Sequence, residues 1–136
     1  MPNKKILFLC TGNSCRSQMA EFLGKKYLRN WIVESAGTQP QKVHPIAIKV
    51  MSEINIDISN SSSKLITKEK IKTFDVVITL CGGARDSCVN ISSMVKEHIH
   101  WDIIDPAKAK GSDREKLDIF RTVRKTIENK IKKLYV

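Results

Sequence analysis

Two runs of consecutive apolar residues predict buried strands. The first lies within KKILFLC at 4–10 and the second within FDVVITLC at 74–81. Strands of a parallel sheet that is covered on both faces read as continuous apolar runs rather than as alternating ones. The pattern also predicts two shorter strands, one at 31–37 that runs into a glycine turn and one at 98–101.

Apolar residues at intervals of three or four predict the helices between these strands. One helix is expected over about 14–29, a second begins at Pro45, and a short one covers 67–72. The last helix has the clearest pattern, and its apolar positions are Leu117, Phe120, Val123, Ile127, Ile131 and Leu134. Ser112 or Asp113 is placed to cap it.

The alternation of strands and helices predicts an α/β sandwich built on a parallel sheet of about four strands. A chain of 136 residues fits one domain, here 1–136. Ligands of such sheets bind beyond the carboxyl ends of the strands. Because Cys10 and Cys81 end the two strongest strands, we expect both at the binding edge.

Composition changes this picture little. An apolar share of 41% and a charged share of 28% are those of an ordinary soluble protein. The apolar run Ile6–Leu9 is too short for a signal peptide, and no stretch approaches the roughly 20 apolar residues of a membrane span. We therefore expect a cytoplasmic protein that has no membrane partner.

Charge and cysteine content narrow the chemistry. The net charge of +10 favours an anionic partner, although lysines that only solubilise the surface explain it equally well. A nucleic-acid-binding module is less favoured, because the chain has only two Trp, two Tyr and four Phe, and aromatic residues do not alternate with basic ones. In the cytoplasm, four cysteines indicate catalysis, redox chemistry or a metal rather than structural disulfides.

The loop after the first strand, CTGNSCRS from Cys10 onward, carries the candidate chemistry. Backbone N–H groups of such a loop converge on anions, Gly12 and Asn13 tolerate positive φ, and Arg16 can grip an oxyanion with two hydrogen bonds. The same groups stabilise a nucleophilic thiolate at Cys10, and Ser17 is placed to donate another hydrogen bond to it. The residues expected to bind the anion are Thr11, Gly12, Asn13, Ser14, Cys15 and Arg16.

Other uses of the cysteines stay open. The alternative for Cys10 is a buried bystander, and a structural zinc site is a further alternative. The candidate zinc ligands are Cys10, Cys15, Cys81, Cys88, His98 and His100. The spacing from Cys81 to Cys88 is too loose for a compact zinc knuckle. The side chain of Cys15 is expected to point into the core and to take no part in a reaction.

The segment CTGNSCRSQMAE at 10–21 resembles the anion-binding loop of low-molecular-weight protein tyrosine phosphatases and, more closely, that of the thioredoxin-coupled arsenate reductases that share their fold. The likeness continues through SAGT, IDIS, VVITLC, HWDIIDPA and the last helix, so it covers nearly the whole chain. It implies a flavodoxin-like three-layer α/β/α sandwich with a central parallel sheet. It also implies an arsenate reductase, an enzyme of arsenic detoxification that converts arsenate to arsenite.

The resemblance implies a relay of three cysteines. Cys10 attacks the arsenic, Cys81 then attacks the Cys10 sulfur as arsenite leaves, and Cys88 takes over the resulting disulfide. Thioredoxin would reduce the final disulfide, and no tightly bound cofactor is expected. Residues seven positions apart in a helix lie roughly 10 Å apart, whereas the Cα atoms of a disulfide lie about 4.4–6.8 Å apart. We therefore expect 81–88 to rearrange on oxidation, helped by its two glycines.

Asp105, which precedes Pro106, resembles the general acid that protonates the leaving oxygen in this family. The alternative is an aspartate that only stabilises a turn. Phosphatases on this fold follow the Asp-Pro pair with tyrosines, whereas AKAK follows here. The alternative function is a low-molecular-weight protein tyrosine phosphatase that acts through a Cys10 phosphoenzyme. Weak phosphatase activity is expected in either case, since phosphate and arsenate are near isosteres.

Some members of the family bind potassium beside the loop. Asn13, Glu21 and Ser35 match positions of that site, but Lys64 stands where the resemblance places a carboxylate. An ammonium group repels a bound cation and can replace its charge, so we expect Lys64 to act in place of potassium. An exposed lysine without that role is the alternative. We expect a monomer whose partners are thioredoxin and arsenate, with phosphate or sulfate as mimics of arsenate.

Overall fold

The computed structural model describes residues 4–80 and 95–134. Within them, four strands form one parallel sheet in the order β2-β1-β3-β4. The strands are β1 (Lys4–Cys10), β2 (Trp31–Gly37), β3 (Val76–Thr79) and β4 (Glu97–His100). All four predicted strands are present. β3 begins two residues later than its apolar run, and β4 lies one residue earlier than predicted.

The helices are α1 (Arg16–Tyr27), α2 (Pro45–Ser52), α3 (Lys68–Ile71) and α4 (Asp113–Lys132), and a single 3-10 turn covers Pro106–Lys108. Of the two predicted caps for α4, Ser112 is the one used. Its hydroxyl accepts a hydrogen bond from the Glu115 N–H, and the Glu115 carboxylate accepts one from the Ser112 N–H. This reciprocal capping box fixes the start of α4.

Both faces of the sheet are covered. One face carries Ile6 and Phe8 and packs against α1, α2 and α4. The other carries Leu7 and Leu9 and packs against Phe74 and α3. Alternate residues of a strand point to opposite faces, so a strand buried on both sides must be apolar throughout. The described residues thus form the predicted three-layer α/β/α sandwich.

The register brings the carboxyl ends of three strands together. Leu9 of β1 aligns with Thr79 of β3, and Cys10 of β1 aligns with Gly37 of β2. The loop that follows Cys10 therefore opens at the same edge as the segments that follow β2 and β3. None of the described helices is long and apolar enough to cross a membrane.

Candidate active site

The loop at 11–15 turns its backbone N–H groups toward its own centre. The carbonyl oxygens of Thr11 and Gly12 accept hydrogen bonds, both of 2.8 Å, from the N–H groups of Gln39 and Gln41 on the segment after β2. Because the C=O and N–H of a trans peptide point in opposite directions, the N–H groups of these peptide units point inward. Converging N–H groups of this kind bind anions.

Two residues permit this loop shape. Asn13 has a φ of 49°, a left-handed conformation that asparagine tolerates. A Cβ at Gly37 would lie 2.5 Å from Thr11 O and 2.9 Å from Asn13 N, so any side chain there would displace the loop. Of the two loop residues that tolerate positive φ, Asn13 adopts it and Gly12 does not. At Gly12, a Cβ would lie 3.2 Å from Ser14 Oγ, so a larger residue there would require that hydroxyl to move.

The Cys10 sulfur lies buried at the base of the loop. Its Sγ is 2.8 Å from Ser17 Oγ and accepts a hydrogen bond of 3.3 Å from the Asn13 N–H. A hydrogen bond to a charged group contributes about 1.5–3 kcal/mol. These two contacts therefore suit a thiolate at Cys10.

The side chain of Asn13 supports a hydrogen bond from Ser17 to a thiolate at Cys10. Its Oδ1 accepts a hydrogen bond of 2.9 Å from the Lys64 N–H, which fixes the orientation of the amide. Its Nδ2 then donates to Ser17 Oγ at 2.7 Å and to Ser35 Oγ at 2.9 Å. A thiolate at Cys10 can only accept, so Ser17 Oγ donates to Cys10 Sγ while it accepts from Asn13.

Arg16 is buried and anchored by backbone carbonyls. Its Nη1 donates to Leu80 O at 3.0 Å and to Ile103 O at 2.9 Å, and its Nη2 lies 3.7 Å from Asp105 Oδ2. The other carboxylate oxygen of Asp105 accepts a hydrogen bond from the Ala107 N–H at 3.0 Å. Asp105 thus stabilises its turn with one oxygen and directs the other toward Arg16.

The loop, Arg16 and Asp105 line a polar cavity of about 430 Å³. Its lining residues are Cys10, Thr11, Gly12, Ser14, Cys15, Arg16, Gln39, Gln41, Asp105, Ala107 and Lys108. Thr11 Oγ1 is buried and has no hydrogen-bond partner among the described residues. A buried hydroxyl without a partner costs free energy.

Cys15 is buried against the core and is unsuited to nucleophilic chemistry. Burial raises the pKa of its thiol to about 12, against the smaller opposing effect of the Ser14 hydroxyl. The thiol therefore stays protonated at neutral pH, and the thiolate is the reactive form. Its position agrees with the expectation that the Cys15 side chain points into the core.

Glu21 lies between two lysines. Its Oε2 is 2.7 Å from Lys25 Nζ and its Oε1 is 3.7 Å from Lys64 Nζ. The Ser35 hydroxyl donates to Oε1, and the Asn13 amide donates to Ser35. The residues matched to a potassium site therefore lie together, with ammonium groups beside the carboxylate.

Cys81 and Cys88, with the two glycines between them, lie outside the described residues. Leu80, whose carbonyl accepts a hydrogen bond from Arg16, is the last described residue before them. Over 4–80 and 95–134, no three His, Cys, Asp or Glu side chains converge as metal ligands.

Three residues that support the loop were not anticipated from the sequence. Gln18 and Ser63 donate hydrogen bonds of 3.0 Å and 2.7 Å to Asn13 O, and Lys25 pairs with Glu21. The sequence does mark Gln18, because a glutamine next to Met19 interrupts the predicted apolar side of α1. In the structure this glutamine is fully buried. The sequence does not mark Ser63, since it is one of several serines in a turn.

The chain is similar to known proteins along nearly its whole length. A sequence model of the family described as low molecular weight phosphotyrosine protein phosphatase matches residues 5–136. The chain is 54% identical to an arsenate reductase of Halalkalibacterium halodurans, over 96% of the chain and 94% of that relative. It is 48% identical to an arsenate reductase of Bacillus subtilis, over 97% of the chain and 95% of that relative.

Solved structures agree in fold. An arsenate reductase in the phosphate binding state superposes with a TM-score of 0.80 at 36% identity, over 96% of this chain and 95% of that one. A YwlE arginine phosphatase mutant with a phosphorylated active site serine superposes with a TM-score of 0.78 at 27% identity, over 96% and 92%. Reductases and phosphatases thus share this architecture.

Proposed function

The chain belongs to the low molecular weight phosphotyrosine protein phosphatase family, and from that premise we propose that it is an arsenate reductase that converts arsenate to arsenite. Relatives named arsenate reductase match nearly its whole length at 45–54% identity. The observation that supports the activity most directly is the position of Cys10 Sγ, in contact with Ser17 Oγ and the Asn13 N–H at the base of the loop. A thiolate there can attack an oxyanion that the loop holds.

The first step forms a bond between sulfur and arsenic. Arsenate binds with its oxygens toward the loop N–H groups and Arg16, whose fixed guanidinium needs no reorganisation as charge develops. The Cys10 thiolate attacks the arsenic, and Asp105 gives a proton to the oxygen that leaves as water.

The next steps move two electrons to arsenic. The Cys81 thiolate attacks Cys10 Sγ, the bond between sulfur and arsenic breaks, and its electron pair leaves with arsenite. The Cys88 thiolate then attacks the Cys81 sulfur and releases the Cys10 thiolate, so that a Cys81–Cys88 disulfide remains. An external dithiol, which we take to be thioredoxin, reduces that disulfide and completes the cycle.

Mass spectrometry after one stoichiometric turnover without reductant tests the relay. The unchanged chain should contain a Cys81–Cys88 bridge, and Cys88→Ser should stop at a Cys10–Cys81 bridge. Cys15→Ser is the matched control and should leave the Cys81–Cys88 bridge unaltered. Four thiols that all stay titratable after exposure to arsenate would refute both the relay and the reductase assignment.

A phosphatase is the second candidate, favoured by the family match and by the structural likeness to an arginine phosphatase. Hydrolysis of a phosphate ester requires Cys10, Arg16 and an acid, but no second thiol. Cys81→Ser should therefore abolish arsenate turnover and leave cleavage of p-nitrophenyl phosphate intact. If Cys81→Ser still reduced arsenate catalytically, the assignment of Cys81 would be wrong.

Lys64 supplies the charge that potassium provides elsewhere in the family. Its ammonium group faces Glu21, and its backbone N–H orients Asn13. Activity should be equal in potassium and sodium salts. Lys64→Asp should introduce a potassium requirement, whereas Lys68→Asp on α3 should not. A steep preference of the unchanged chain for potassium over sodium would exclude this role.

The remaining assignments concern the setting of the reaction. We propose that the protein acts as a cytoplasmic monomer without a tightly bound cofactor, and that thioredoxin is its reductant, with a glutaredoxin-type protein as the alternative. Light scattering on a sizing column measures the oligomeric state. Turnover with each reductant in parallel identifies the partner, and faster steady-state reduction with glutaredoxin would reverse that assignment.

A further inference from the structure

Strand β4 presents two histidine rings to one hydroxyl group. His98 Nε2 lies 3.0 Å and His100 Nδ1 lies 2.6 Å from Thr79 Oγ1. Residues two apart on a strand face the same side, and the register of β3 and β4 places Thr79 beside His100. Two ring nitrogens therefore converge on a single point at the end of the sheet.

A hydroxyl group can form hydrogen bonds with both rings of such a pair. It has one proton and two lone pairs, so it can donate to one ring and accept from the other, or accept an N–H from both. A divalent cation near the same point would instead be bound by a lone pair from each ring. Imidazole nitrogen is a preferred ligand of Zn²⁺, Ni²⁺ and Cu²⁺.

We propose that His98 and His100, with the Thr79 hydroxyl, form a binding site for a divalent transition-metal ion, with Zn²⁺ as its representative. Two protein nitrogens leave coordination positions for water or another donor, so the ion would be exchangeable rather than structural. β4 is the last strand in the described sheet order, and His100 is exposed to solvent.

The proposed site adjoins the candidate active site without sharing its residues. Leu80 follows Thr79 directly, and its carbonyl accepts the hydrogen bond from Arg16 Nη1 at 3.0 Å. An ion bound at Thr79 therefore lies one residue from an anchor of the anion-binding guanidinium. The proposal does not depend on arsenate being the substrate.

Titration of the full-length protein with ZnCl₂, followed by the ring ¹⁵N resonances, tests the site. The chain has three histidines. Thiols also bind zinc, but a zinc–thiolate bond does not involve a ring nitrogen. We expect His98 Nε2 and His100 Nδ1 to shift together and to saturate at one zinc concentration. His44 should not shift at that concentration. Its Nδ1 already accepts a hydrogen bond from the Ile46 N–H, which leaves one ring nitrogen rather than a converging pair.

Variants provide the second measurement. His98→Gln should weaken the zinc affinity read at His100 by about tenfold or more, and His100→Gln should do the same at His98. His44→Asn should leave both signals unchanged. Ring signals that do not shift, or that saturate at different zinc concentrations, would overturn the proposal. Unchanged zinc affinity in both Gln variants would also overturn it. The ring titration of the unchanged chain decides the matter even where a variant unfolds.

Discussion

At the residue scale, the reactivity of Cys10 depends on a hydrogen bond from Ser17, which Asn13 contacts in turn. The Asn13 amide donates to Ser17 Oγ, and Ser17 Oγ in turn can donate its proton to a thiolate at Cys10. Ser17→Ala should remove a hydrogen bond to the thiolate that is worth about 1.5–3 kcal/mol. Alkylation of Cys10 by iodoacetamide at neutral pH should slow by roughly 10- to 100-fold, as measured by mass spectrometry of the Cys10 peptide.

Ser52→Ala provides the matched control, because the Ser52 hydroxyl donates to Lys49 O on the exposed side of α2. It should leave both the alkylation rate and arsenate turnover unchanged. Alkylation of Ser17→Ala at the rate of the unchanged chain would mean that Ser17 does not stabilise the thiolate.

The sequence allowed part of this site to be predicted because part of it is local. Cys10, Arg16 and Ser17 lie within eight consecutive residues, and their residue types indicate their chemistry. The partners that orient Asn13 are distant, since Ser35 is 22 and Lys64 is 51 positions away. The donation from Ser17 to Cys10 was predicted, but the amide of Asn13 that supports it could not be, because its orientation depends on these long-range contacts.

At the scale of elements, the end of β2 and the loop after β1 fit together through a glycine. Gly37→Ala would place a Cβ 2.5 Å from Thr11 O, and backbone atoms cannot yield as the tip of a side chain can. We expect a loss of about 1–3 kcal/mol in the free energy of unfolding, together with weaker phosphate binding. Urea unfolding and calorimetric titration with phosphate measure the two effects.

Gly24→Ala separates stability from binding. A Cβ at Gly24 would lie 3.0 Å from Val33 Cγ1 and 3.1 Å from Phe8 Cε2, within the core. This variant should lose stability but bind phosphate as the unchanged chain does. Equal phosphate affinity in both variants would show that the contact at Gly37 does not shape the loop.

A charged contact joins α2 to α4. The carboxylate of Glu53 accepts hydrogen bonds from Arg121 and Arg124. These bonds, chiefly that from Arg121, lower the pKa of Glu53 from 4.5 to about 2. Because the folded value lies below the unfolded one, the carboxylate stabilises the fold above about pH 4.5. This stabilisation is lost as the pH falls toward 2.

Glu53→Gln should therefore lower the free energy of unfolding at neutral pH by about 1 kcal/mol, since the side chain is partly exposed and solvent screens the pair. The difference from the unchanged chain should shrink as the pH falls through this range. Urea unfolding at both ends of the range measures it, with Glu69→Gln on α3 as the control. A difference that stays constant with pH would exclude the ion pair as its cause.

The elements themselves divide into those with local signals and those without. β1 and α4 could be predicted because a continuous apolar run and a three-to-four spacing are read within the segment itself. The segment at 38–44 that holds the loop carbonyls could not, since it binds through backbone N–H groups that any residue but proline supplies. The start of α1 could not be predicted to the residue either. The helix begins at Arg16 rather than at about residue 14, because Ser14 and Cys15 belong to the anion loop.

At the scale of the whole molecule, the net charge of +10 bears on every anionic partner. Binding of a nucleic acid by surface lysines alone weakens steeply with salt, because it depends on counterion release. A fluorescent oligonucleotide should therefore bind at low salt and dissociate at physiological salt. Tight binding at physiological salt would favour the nucleic-acid-binding module over an incidental basic surface.

The same charge should act on the encounter with an acidic dithiol reductase. Salt shortens the Debye length from about 10 Å at 0.1 M to about 3 Å at 1 M. This removes the long-range attraction between the two proteins. Interactions of buried groups such as Arg16 are screened much less. We expect kcat/KM for the reductase to fall by about tenfold or more over this range, whereas electron transfer within the first turnover changes little. Steady-state assays at low reductase concentration give the former, and quenched single turnovers at saturating arsenate give the latter. If kcat/KM for the reductase did not change with salt, the lysines would serve solubility rather than recognition.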